Sequence, residues 1–104
     1  MKRTKKNIRV IHDLNKDFES RIRLGIMSVL VVNDWVDFLE MKELLQVTDG
    51  NLASHMSALE KRNYIDIRKE FVGKKTRTSY KITKEGRKDF YDHLNALEAL
   101  LKQK

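Results

Sequence analysis

Two stretches of this sequence carry side chains suited to holding a polyanion. Asn51, Ser54 and Ser57 recur at three-residue steps, which on a helix puts short hydrogen-bonding groups on one outward side. Soon after them comes the run Gly73-Lys74-Lys75-Thr76-Arg77. Cations placed near phosphates release condensed counterions, so attachment through them is favourable and salt-dependent. A helix lodged in a groove about 12 Å wide must keep its side chains short if its backbone is to approach base edges, and serine and asparagine meet that need. Small polar residues are also ordinary on a solvated helix face, and basic residues also confer solubility. It is the basic stretch adjoining the polar helix that tips the balance towards a nucleic acid.

Other chemistries lack their residues. The chain has no cysteine, which removes disulfides, thiol catalysis and cysteine-ligated zinc together. His12, His55 and His93 are too scattered to close a tetrahedral metal site. There is no glycine-rich phosphate loop and no nucleophile beside a base, and the carboxylates fall mainly on expected surface positions. No catalytic residue, metal or cofactor is therefore expected. RNA is disfavoured because Tyr64 and Tyr80 read as core, leaving no aromatics on the contact face to stack on single-stranded bases. No apolar run approaches the roughly 18 residues of a membrane span, and residues 1–9 lack the apolar stretch of a secretory signal, so a cytoplasmic location is expected.

The formal charge of +7 over 104 residues is informative through its distribution. Residues 1–9 hold five basic and no acidic groups, and residues 61–81 hold eight basic against two acidic. Residues 10–60 are net acidic, and residues 82–104 are nearly balanced. Two basic patches thus flank an acidic middle, with the first forming a frayed N-terminal arm.

The elements that must position these groups follow from hydrophobic period. A chain of this length has room for one domain, 1–104, and none for a separate ligand-binding domain. Ile8, Ile11, Leu14 and Phe18 suggest a short amphipathic helix. Residues 20–32 support a longer one with Ile22, Ile26, Val29 and Leu30 as its stripe, and with Leu24, Met27, Val31 and Val32 apolar outside it. A turn and a very short strand around Trp35 and Val36 lead to a two-turn helix over 41–47 with Leu44 and Leu45 inward. Thr48-Asp49-Gly50-Asn51 reads as a turn and a helix start at once, since Thr48 can cap free N–H groups and Asp49 suits a positive helix end. The next helix reaches about residue 63, with Leu52, Met56 and Leu59 inward and Gly50, Asn51, Ser54, Ser57, Ala58 and Lys61 outward. Ile65 and Ile67, then Tyr80 and Ile82, alternate with polar residues as two strands joined by the charged loop 73–77, whose cations have no acid beside them in sequence. Thr83 caps a last helix over 84–101, striped by Phe90, Leu94, Leu97 and Leu101.

Helix, short strand, helix, turn, helix, hairpin, helix is the order of a winged helix-turn-helix, whose helix after the turn enters the major groove of DNA. The fold class expected is α+β, mostly helical, with a two- to three-stranded antiparallel sheet and a long C-terminal helix. The stretches S-R-I-R-L-G-I-M-S-V-L, T-D-G-N-L-A-S-H-M-S-A-L-E-K-R-N-Y-I, F-V-G-K-K-T-R-T-S-Y-K-I-T and K-E-G match in order and spacing. Over residues 10–101 the chain resembles the MarR-like winged-helix regulators, particularly their short single-domain group.

That resemblance implies a DNA-binding transcriptional regulator. Residues matching Asp49, Asn51, Ala53, Ser54 and His55 would approach DNA, and Lys74, Lys75 and Arg77 would contact phosphate. With Thr48 at the helix start, Ser57 and Lys61 on the outward face and Thr76 in the wing, these make up the expected DNA-binding set. His55 lies on the flank of its helix and reads equally as a structural histidine or as a DNA contact. The resemblance also implies a homodimer built from N- and C-terminal helices, with recognition helices one DNA turn apart. Ile22, Ile26, Phe90, Leu94, Leu97 and Leu101 are its expected interface. No ligand signature is present, so any small-molecule effector is unknown. The competing reading is a winged-helix module that contacts protein rather than DNA.

Overall fold

Short polar side chains set the start of the four α-helices that begin among residues 13–102, the residues that the computed structural model describes. Ser20 opens α1 (Arg21–Val31) by accepting the Arg23 N–H. Asp37 opens α2 (Phe38–Leu45) by accepting the Glu40 N–H. Thr48 does the same for α3 (Asp49–Lys61) through the Asn51 N–H, and Thr83 for α4 (Lys84–Leu101) through the Gly86 N–H. Each cap satisfies one of the N–H groups that a helix start leaves free, worth about 1 kcal/mol. Three antiparallel strands, β1 (Val36–Asp37), β2 (Ile65–Val72) and β3 (Lys75–Ile82), pair in the order β1-β3-β2. The molecule is the expected winged helix-turn-helix.

Several elements depart from the sequence reading. The basic arm at 1–9, Ile8 and Ile11 of the expected first helix, and His12 lie outside the described residues. Asp13, the first described residue, is α-helical, and beyond it the chain forms a 3-10 turn, Lys16–Phe18, which takes Phe18 out of the expected helix. Asn15 initiates it by accepting the Asp17 N–H, the local side-chain bond by which asparagine competes with a helix. The second helix starts at Phe38, not Met41, because Asp37 caps it. Its one fully buried side chain is Met41, while Leu44, expected inward, is 59% exposed. The turn between α2 and α3 is residues 46–48, with Gln46 in the left-handed region at φ 53° and its N–H returned to the Lys42 carbonyl. Asp49, Gly50 and Asn51 are already helical.

The core lies between α1, α3, α4 and one face of the sheet. Ile26, Met27 and Leu30 of α1 meet Leu52, Met56 and Leu59 of α3, with Ile65, Tyr80 and Ile82 from the strands and Phe90 from α4. Met27, expected outside the stripe of α1, is fully buried: this helix is covered over more than one side. Phe18 is buried too, edge-on to Phe90 and tilted against Tyr64. His93 is equally enclosed, and its Nδ1 accepts the backbone N–H of Asn15 at 2.9 Å, while the Asn15 amide donates to the Tyr64 hydroxyl.

One junction ties the recognition element to the rest. Asn63 takes φ 62°, and its N–H reaches the Glu60 carbonyl while the Tyr64 N–H reaches Leu59. This is the Schellman closure of a helix, with asparagine tolerating the left-handed position. The Tyr64 carbonyl then accepts the Thr83 N–H, and the Thr83 hydroxyl donates to the Asn63 carbonyl. Gly86, in the first turn of α4, lies so close that a Cβ there would collide with the Tyr64 carbonyl oxygen. Because that neighbour is backbone, it cannot swing aside. We therefore expect Gly86→Ala to lower stability by about 3 kcal/mol or more. Gly50→Ala, whose added methyl meets nothing within 4 Å, should be neutral or slightly stabilising. Urea unfolding midpoints of the two variants check both.

Candidate nucleic-acid interface

The rotation of α3 about its axis decides which side chains can meet a ligand. Leu52, Met56 and Leu59 are buried, so Gly50, Ser54, Ser57 and Lys61 point away from the core, with Asn51 and Ala53 on the flanks. All six are exposed. Ala58, expected with them, is half-buried. Thr48 is exposed, but its oxygen is engaged in capping. Asp49 is exposed and bonded to Lys42 of α2, with Nζ 2.7 Å from the carboxylate. That pairing offsets a negative charge at the helix start, the place where free backbone N–H groups favour an anion.

His55 is half-buried, and the Arg23 Nε–H donates to its Nδ1 at 3.0 Å. An accepting Nδ1 leaves the ring proton on Nε2, so the imidazole is neutral and acts as a donor. Burial lowers its pKa, and the Arg23 charge lowers it further. Arg23 also donates to the Asp17 carbonyl, and the Asp17 carboxylate receives Arg62 at 3.0 Å. Asp17 in the 3-10 turn thus links the start of α1, through its backbone carbonyl and a carboxylate oxygen 4.0 Å from Arg23, to the end of α3. Sequence reasoning did not single out Lys42, Arg23 or Arg62; their partners lie 7, 32 and 45 residues away, beyond any local pattern.

The wing is tighter than expected. β2 and β3 run up to Val72 and Lys75, which pair with each other, so only Gly73 and Lys74 form the turn. Gly73 has φ +66°, while Lys74 is not among the residues of positive φ. That is the pattern of a two-residue turn with glycine at its first central position. Lys75, Thr76 and Arg77, expected in the loop, are strand residues, although all are exposed. Arg77 does have acids beside it: its Nε lies 3.9 Å from both Asp37 and Glu70. Arg68 lies 3.7 Å from Glu70 and covers the Trp35 ring at 4.3 Å, and Lys81 approaches Asp34 at 3.3 Å. Among the described residues, the basic side chains of 61–81 left outside any ion pair are Lys61, Lys69, Lys74 and Lys75. Lys61 belongs to the outward face of α3, and the other three to the wing.

The expected dimer residues divide. Ile26 and Phe90 are buried inside the protomer and have no surface to give a partner, a correction to the sequence reading. Ile22 and Leu97 are half-buried, Leu94 is partly exposed, and Leu101 is 82% exposed. The helix face that covers the core at Phe90 runs on through the half-buried Leu97 to the exposed Leu101.

Among the described residues no group of histidines and carboxylates could hold a metal ion, and no helix is long and apolar enough to cross a membrane.

Comparison with known proteins bears on this geometry. Residues 22–101 match the family profile described as a winged helix DNA-binding domain. An uncharacterized protein of Methanocaldococcus jannaschii is 32% identical over 87 residues, covering 84% of this chain and 95% of that protein. A transcriptional regulator homologue from Pyrococcus horikoshii superposes with a TM-score of 0.78 at 27% identity, covering 97% of this chain and 95% of that one. Bordetella bronchiseptica BpsR, whose DNA binding is regulated by 6-hydroxynicotinic acid, shares the fold at a TM-score of 0.70 and 7% identity, covering 97% and 76%. NadR, solved with 4-hydroxyphenylacetate, does so at 0.69 and 20%, covering 88% and 64%.

The two described histidines give this fold a pH signature. Burial lowers both pKa values from the ordinary 6.5, with Arg23 adding to the effect at His55 and Glu19 opposing it at His93. Between the lowered folded values and 6.5 the unfolded chain binds more protons, so stability is constant above that window and falls as pH drops through it. We expect NMR titration midpoints below 6.5 for both rings. Arg23→Ala should move the His55 midpoint upward and leave that of His93 in place.

Proposed function

The chain belongs to the winged-helix DNA-binding domain family, as its resemblance to MarR-like regulators implied, and on that premise we propose how it regulates transcription. It lays the outward face of α3 in the major groove of double-stranded DNA and holds the flanking backbone with its wing. The observation that carries this reading is the sorting of charge on the hairpin: Arg68, Arg77 and Lys81 are partnered within the fold, whereas Lys69, Lys74 and Lys75 are free for phosphate. On α3, Gly50, Ser54 and Ser57 allow close approach, Asn51 and the Nε2–H of His55 offer hydrogen bonds at the flank, and Lys61 meets a phosphate. Base readout by so few short side chains is modest, and attachment is mainly electrostatic. The protein works in the cytoplasm as a homodimer, with Leu94, Leu97 and Leu101 of α4 and Ile22 of α1 at the interface. Two α3 helices then address half-sites one DNA turn apart.

Gel shifts on mixed genomic fragments test this directly. Affinity should fall steeply with salt, and Lys74→Ala and Lys75→Ala should each weaken binding and reduce the log–log salt slope by about one for each phosphate no longer neutralised. Arg77→Ala should change the slope less, because its charge is shared with Asp37 and Glu70. No shift even at low salt would replace the DNA reading with a protein-binding module. Leu94→Glu combined with Leu101→Glu alters only side chains with exposed surface in the protomer. Sedimentation should show a folded monomer with weakened DNA binding, and an unchanged dimer would remove α4 from the interface.

A further inference from the structure

We infer that Phe71 is an apolar wedge that enters the minor groove and loosens the stacking at one base step. The inference rests on the DNA-binding reading above and deepens it by naming a residue that acts on DNA shape. Phe71 is 79% exposed. It stands two residues before Gly73, opposite Thr76 in the pairing of β2 with β3. Strand alternation puts Lys69 and Phe71 on one face, with Thr78 and Thr76 across from them. Both threonines are too small to hide the ring. This is the same face that buries Ile65 further down the hairpin, so the sheet carries its apolar side past the core and out to the tip.

A Phe-Val pair exposed at the end of a hairpin is a position that soluble proteins normally fill with polar or charged residues, because it invites aggregation. Its surroundings indicate the occupant. Lys69 lies on the same face as the ring and Lys74 in the adjoining turn, and neither has an acidic partner among the described residues, so the site is an apolar point beside unpaired positive charge. DNA offers the matching surface: a strongly negative minor groove over base steps that a ring can part. Apolar wedges do this at a cost of a few kcal/mol per step, least at flexible pyrimidine–purine steps such as TA. The wedge would give the protein a preference for deformable AT-rich sequence at positions that α3 does not read. That compensates for the short side chains on its outward face.

The test uses the full chain and a duplex of about 30 base pairs rich in TA steps, with 2-aminopurine replacing adenine at successive positions. Binding of the unaltered protein should raise fluorescence at one step in each half of the duplex. Phe71→Thr, which keeps a β-favouring residue in the strand, should abolish that rise and weaken binding about tenfold while leaving the salt slope unchanged. Lys74→Ala should do the reverse, lowering the slope and keeping the rise. Unchanged affinity and fluorescence in Phe71→Thr would overturn the wedge and leave DNA binding standing. So would a variant that only unfolds at lower temperature, or one that changes sedimentation without DNA; these would mark Phe71 as a hairpin or protomer contact. Failure of the unaltered protein to bind the duplex at low salt would remove both readings together.

Discussion

The backbone of Tyr64 is the point on which the arrangement turns. Its N–H ends α3 by bonding back to Leu59, and its carbonyl accepts the first N–H ahead of α4. Gly86 is seated against the same carbonyl. One residue thus fixes where the recognition helix stops, where the hairpin begins and where the last helix departs. Its ring adds a third tie, lying against Phe18 and receiving the Asn15 amide. With the end of α3 held there and its start held by Thr48 and Lys42, the helix has little freedom to roll. Burial of Leu52, Met56 and Leu59 then determines which short side chains face outward.

Charge pairing performs a comparable selection on the hairpin. Exposed ion pairs at nearly 4 Å contribute little to stability, of the order of 1 kcal/mol or less. Their consequence lies in the field they leave behind. Glu70 sits between Arg68 and Arg77 and weakens the positive potential on one face of the wing, while Lys69, Lys74 and Lys75 belong to no ion pair among the described residues. On the DNA-binding reading proposed above, an approaching phosphate would be guided by these lysines. This is why the net charge of residues 61–81 overstates the number of cations open to a partner.

Much of this is legible in the sequence, and the failures share a cause. Periodicity locates α1, α3, the hairpin and α4, and all four residues that cap these helices or α2 are of the types known to do so. The inward set of α3 comes from spacing alone. What spacing does not supply is partnership between distant residues. Asp37 and Glu70 beside Arg77, Arg23 on His55 and Lys42 on Asp49 arise only once strands and helices pack. Ile26 and Phe90 read as dimer-interface residues because a one-dimensional stripe does not reveal how much of it the protomer itself covers. Phe71 is missed for a related reason: the alternation read along β2 stops at Ile67, and only the strand pairing that continues to Val72 places Phe71 on the same face beyond the core.

The separation of attachment from sequence choice stems from the same packing. On the proposed reading attachment needs only charge and a close approach, and the lysines and small side chains would supply both without fixed partners. Sequence choice needs donors held in one orientation. Here the best-held donor near the outward face is His55, locked by Arg23, which Asp17 in turn helps to hold. The chain that orders His55 thus runs back through α1 to the turn that leads out of the N-terminal segment. A change at Asp17 would reach the outward flank of α3 through Arg23 and His55. Asp17 also holds Arg62 at the far end of α3, so the same residue bears on both His55 and the helix that carries it. Moving that one residue would alter a donor's orientation and a helix terminus together.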